Sequence, residues 1–101
     1  MSMSTNHSLA ISQDELINLI NKNQPMLLFD LRLKEQYEQG HMNGASHAVC
    51  DTRAKETIMP KIPKTVKIVL VDEDETISRE TAEMMKSIGF DAQYLKGGMK
   101  S

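Results

Sequence analysis

The greatest concentration of chemically able side chains in this sequence is seven residues long: Asp72, Glu73, Asp74, Glu75, Thr76, Ile77 and Ser78. Four carboxylates so close together can hold a magnesium ion through hard oxygen ligands, or accept the free backbone N–H groups that open a helix and complement its dipole. They would repel sulfonate, phosphate or thiosulfate. Cys50 is the single cysteine. Arg53 nearby can lower a thiol pKa and His47 can act as its base, which makes Cys50 a candidate nucleophile; the bland alternative is a small, half-buried hydrophobe. Asp30 and Arg32, two residues apart on an extended segment, project to the same side and can form a hydrogen-bonded ion pair. His7, His41 and His47 fit no standard metal spacing, so neither a metal nor a cofactor is expected.

These side chains need elements to place them. Ser12-Gln13-Asp14-Glu15 is a capping-box pattern that opens a helix with Leu16, Ile17 and Ile20 on one face, ending near Asn23 ahead of Pro25. Met26-Leu27-Leu28-Phe29, closed by Asp30, is a continuous apolar run of the kind found in a strand buried on both faces of a parallel sheet. A short helix over 34–39 stops at Gly40, and Gly40-His41 with Gly44-Ala45 predicts a tight turn whose histidine bonds to backbone. Residues 45–49 predict a brief second strand, and Pro60 and Pro63 mark a loop. Residues 67–71 are the clearest strand of the chain, followed by a helix over 76–88 with Ile77, Thr81, Met84, Met85 and Ile88 at helical spacing and Gly89 as its stop. Residues 92–95 supply a last strand before Gly97-Gly98. Strands alternating with helices define an α/β fold with a central parallel sheet flanked by helices on both faces.

In such sheets ligands gather outside the carboxyl ends of the strands, which places the acidic stretch after Val71 in the default site. With 101 residues the chain is long enough for one domain. The expected division is a flexible N-terminal tail over 1–10 and one domain over 11–101. Twelve basic against 14 acidic residues give a formal charge of -2, which supplies no global field for nucleic acid or an anionic membrane. No apolar run approaches the roughly 20 residues of a bilayer span, and the first eight residues carry no secretion signal. A cytoplasmic setting is expected, and a lone cysteine suits a reducing one. With no Trp, two Tyr, two Phe and 8 Met, the core must lean on Ile, Leu, Val and Met.

Two stretches carry a family resemblance. Asp30-Leu31-Arg32 followed by Tyr37-Glu38-Gln39-Gly40-His41-Met42-Asn43-Gly44-Ala45 is similar to the first signature of the rhodanese (sulfurtransferase) family, and Gly89-Phe90 through Tyr94-Leu95-Lys96-Gly97-Gly98-Met99 resembles its closing signature. The resemblance implies a single rhodanese-like domain, with Asp30, Arg32, Gly40, His41, Gly44, Gly97 and Gly98 as structural motif residues. It also implies that the loop after Val71 is a cradle of backbone N–H groups that stabilises a thiolate or persulfide. Aligning Ser78 and Ala82 with the family's helix start puts Asp72 in the cysteine position and Ile77 where an arginine often stands. Gln36 stands where the family usually has an acid, with Glu35 one residue earlier. Residues 67–74 also resemble the first strand of a response-regulator receiver domain, although too little chain follows to complete one.

The expected function is therefore that of a catalytically inactive rhodanese-like domain, a binding or regulatory module whose acidic loop meets an unknown protein partner, the domain itself a monomer or weak homodimer. The alternative is a sulfurtransferase or thiol-redox protein with its nucleophile relocated to Cys50. A third expectation is a domain belonging to a longer polypeptide.

Overall fold

The computed structural model describes residues 9–22, 25–42, 44–48 and 59–99. Cys50, Arg53 and His7, together with residues 1–8 of the expected 1–10 tail, lie outside the described residues. In chain order the elements are β1 (Ala10–Ile11), α1 (Gln13–Asn21), β2 (Met26–Asp30), α2 (Lys34–Gln39), β3 (Ser46–His47), a 3-10 turn at Met59–Lys61, β4 (Lys67–Val71), α3 (Thr76–Ser87) and β5 (Asp91–Leu95). The strands form one parallel sheet in the order β1-β5-β4-β2-β3.

β4 lies at the centre because its sequence allows nothing else: Ile68, Val69, Leu70 and Val71 are all buried, so both of its faces must be covered. Alternation then sorts the side chains. Leu28, Val69, Val71 and Leu95 pack with Leu16 of α1, against which Leu19, Ile20 and the Tyr37 ring of α2 also rest. Ile68, Leu70, Ala92 and Tyr94 pack on the other face with Ala82 and Met85 of α3 and with Phe90. Helices thus cover both faces of a parallel sheet, as the alternation of elements predicts.

The structure differs from expectation at four points. Ala10 belongs to the sheet and not to a tail, since it pairs with Tyr94, and Leu9 O before it accepts the Tyr94 N–H at 3.0 Å. The second strand is only Ser46–His47, not 45–49; Val49 lies outside the described residues. In α1 it is Leu19, with Ile20, that joins Leu16 against the core, while Ile17 is exposed. In α3 the buried stripe is Ser78, Thr81, Ala82 and Met85, and Ile77 and Ile88 at its two ends face solvent. The reason is the 100° step of the helix: a stripe centred between Ser78 and Met85 leaves positions 77 and 88 on its margin.

Candidate functional site

Asp30 and Asp72 terminate neighbouring strands, and both are buried. In β2 and β4, Asp30 is in register with Val71, so Asp72 is one step beyond it at the carboxyl rim of the sheet. Asp72 does not point out of the loop as a ligand for a cation would. Its Oδ1 accepts the Glu75 N–H at 2.7 Å and the Ser78 hydroxyl at 2.7 Å. Its Oδ2 accepts the N–H of Ile77 at 2.7 Å and of Ser78 at 3.2 Å. Between these amides, Thr76 N–H donates to Asp74 Oδ1 at 3.1 Å. The first turn of α3 thus spends its orphan donors on carboxylates of its own loop.

The sequence offers all four loop carboxylates as acceptors for the N–H groups that open the helix. Two of them do so: Asp74 takes one amide, and Asp72, reaching across the loop, takes three. Glu75 instead supplies a bend, the one non-glycine residue of positive φ among those described (φ 70°). Its side chain accepts a hydrogen bond from Gly97 N–H, and Met99 N–H donates to the Asp72 carbonyl at 2.8 Å. The closing turn therefore clamps the acidic loop. At Gly98 (φ +69°) a Cβ would stand 2.4 Å from the Glu73 carbonyl oxygen, a contact only glycine allows. The loop residues Glu73 and Asp74 are exposed, as is Ile77.

The second buried carboxylate is treated differently. Asp30 is matched by a cation: Arg32 Nε donates to Oδ1 and Oδ2 at 3.0 and 3.1 Å, and Nη2 donates to Oδ2 at 2.8 Å. Arg32 Nη2 also donates to Gly40 O at 2.7 Å, tying β2 to the turn after α2. These hydrogen bonds to Asp30 hold the guanidinium pKa above its ordinary value against the opposing effect of burial, and the charges of Asp30 and Glu73 add to it. Glu73 is thereby within electrostatic reach of this corner. Gln36, in place of the usual acid, bonds locally: its Oε1 accepts the Leu33 N–H at 3.2 Å.

Both described histidines are bonded to backbone. His41 Nδ1 lies 2.9 Å from Tyr37 O and its ring stacks on Tyr37 at 3.9 Å. His47 Nε2 lies 2.8 Å from Arg32 O, so that nitrogen is engaged at the corner. Among the described residues no cluster of three or more His, Cys, Asp or Glu is arranged to hold a metal ion, and no helix is long and apolar enough to cross a membrane. One feature escapes the sequence: a pocket of about 410 Å³ beside the closing turn, lined by Gln13, His41, Met42, Leu95 and Met99. These residues come from three separate segments, around positions 13, 41–42 and 95–99, so no single motif announces the pocket.

A parallel sheet of this order, with a loop of backbone donors between its central strand and the following helix and a glycine turn locked against that loop, is the arrangement that the family resemblance implies. Residues 12–101 match the rhodanese-like domain family, and the chain belongs to it. In structure it is similar to a rhodanese-like domain protein of Staphylococcus aureus (TM-score 0.76, 25% identity, 91% of this chain and 88% of that one). A human single-domain sulfurtransferase shares the fold at TM-score 0.73, with 18% identity over 92% of this chain and 93% of that one. In sequence the chain is 33% identical over 85 residues to the centrosomal protein of 41 kDa from Xenopus tropicalis, matching 75% of this chain but spanning only 23% of the length of that relative.

Proposed function

We propose that this rhodanese-like domain does not relay sulfur through its central loop and acts as a binding or regulatory module, meeting a protein partner with the loop Asp72 to Ser78. The observation that carries the reading is the filling of the cradle. Asp72 accepts three backbone N–H groups and one hydroxyl of the loop, the donors that a persulfide and an incoming anion would need. A carboxylate oxygen also cannot stand in for the thiolate, which attacks the outer sulfur of thiosulfate, releases sulfite and keeps the sulfur as a persulfide. The exposed neighbours Glu73 and Asp74 add negative charge where the anion would approach. With a net charge of -2 and an acidic loop, the partner is a protein and not a nucleic acid.

The experiment is intact-mass spectrometry after incubation with thiosulfate, on the native chain and on Cys50→Ser. Neither is expected to gain a sulfur. A gain in the native chain that is lost in Cys50→Ser overturns the reading and makes Cys50 a relocated nucleophile.

A further inference from the structure

The mouth of the loop has exchanged one recognition chemistry for another. Where the family resemblance places an anion-binding arginine stands Ile77, 52% exposed, and at the far end of the same helix Ile88 is 46% exposed. Eleven residues at 100° each bring the two to within about 20° of one another around α3, at a separation of ~16 Å along its axis. Met84, half-buried, falls between them on the same line. The result is an apolar margin about three turns long. Its solvent side carries exposed Glu80, and the loop carboxylates Glu73 and Asp74 cap its N-terminal end. Of the opposing charges on α3, Arg79 is engaged with Glu83 at 3.9 Å and Lys86 lies on the far side of the helix.

From this we infer that the α3 margin Ile77–Met84–Ile88 is a docking surface for a basic amphipathic helix, whose apolar side chains lie along the stripe and whose Lys and Arg face Glu73, Asp74 and Glu80. This rests on the binding-module reading above and names the partner's chemistry. The stripe runs parallel to a helix axis over a length that a second helix of similar length covers. Strand addition is the poorer fit, because the edge strands β1 and β3 are each two residues long and present little backbone to pair. Charge chooses the sign of the partner, and the apolar stripe chooses its periodicity.

The test uses a labelled synthetic helix of about 18 residues, with Leu at positions matching one face and Lys elsewhere, beside a scrambled peptide of the same composition, in fluorescence anisotropy at physiological salt. The patterned peptide should bind the native chain at least about tenfold more tightly than the scrambled one. That preference should vanish in the Ile77→Ser, Ile88→Ser double variant, whose thermal unfolding serves as the check that the fold persists. Equal affinity of the two peptides, or a preference that survives the double variant, overturns the inference. So does sedimentation showing that the stripe is occupied by a second copy of the chain. Failure here with no persulfide in the thiosulfate assay removes only the helical partner; persulfide on Cys50 removes the binding-module reading itself.

Discussion

Two buried aspartates at adjacent strand ends make the same demand on the fold and receive opposite answers. Asp30 is fully buried and is neutralised by a guanidinium in fork geometry. Asp72 is 3% exposed and has no such cation among its hydrogen-bond donors; its charge is met by three amides and a hydroxyl at the start of α3. The first solution is specific to a charge pair and cannot lose either member cheaply. The second is a general anion holder built from backbone, and it is indifferent to what supplies the anion. On the proposed reading, that difference is how an aspartate can stand at the nucleophile's position without dismantling the loop: the donors are fixed by the course of the chain, and any short acceptor can satisfy them.

The most damaging way to break the comparison is at the charge pair. Arg32→Ala strands Asp30 without its cation and frees the Gly40 carbonyl, and should lower unfolding free energy by about 3–5 kcal/mol in urea titration. If the loss is under about 1 kcal/mol, Asp30 has found water and the contrast with Asp72 fails. Next comes the clamp on the Asp72 loop. Gly98→Ala drives a methyl into the Glu73 carbonyl at a positive φ, at a cost of about 2–4 kcal/mol, and should lower the melting temperature accordingly. A smaller loss, about 1–3 kcal/mol, is expected for Asp72→Ala, because water can reach some of the abandoned donors. This variant also sharpens the comparison: sulfate over chloride at equal ionic strength should stabilise it, through its vacated cradle, by more than the general salt effect that the native chain shows.

The fold was readable because its strongest determinants are local. The apolar run of β4, the capping box of α1 and the glycine stop after α3 each announce an element without reference to the rest. The spacing of Asp30 and Arg32 likewise announces their pairing. β1 was not readable, since two residues carry no periodicity and their place is set by pairing with β5, more than eighty positions away. Nor could the sequence assign the buried margins of α1 and α3. Ile17, Ile77 and Ile88 are as apolar as the residues that are buried, and only the tilt of each helix on the sheet decides which side of the stripe is covered. In the loop, composition made the acidity plain but not its division of labour. That Asp72 turns inward, Asp74 caps, Glu75 reaches Gly97 and Glu73 stays outside follows from the positive φ at Glu75 and the closeness of Gly98, both tertiary facts.

A third carboxylate provides the solvent-exposed control for Asp72. At the start of α1, Glu15 Oε1 accepts the Ser12 N–H at 3.1 Å while its own N–H donates to the Ser12 hydroxyl. It performs the same task, an acid satisfying backbone at a helix start, with nothing buried. Hydrogen bonding to the Ser12 backbone and then to its side chain holds the Glu15 pKa below its ordinary value of 4.5. A carboxyl whose pKa is lower in the folded chain contributes stability that is present above its unfolded value and lost as pH falls through the folded one. Glu15→Gln should therefore flatten the pH dependence of stability in the window just below pH 4.5 and leave it unchanged at neutral pH and above, as read by melting temperature across a pH series. Its effect should be the smallest of the four, since Gln keeps an acceptor oxygen for the Ser12 N–H and only an exposed charge is lost. If Glu15→Gln instead matches Asp72→Ala in size, burial is not what makes the Asp72 cradle demanding, and the loop is simply a second ordinary helix cap.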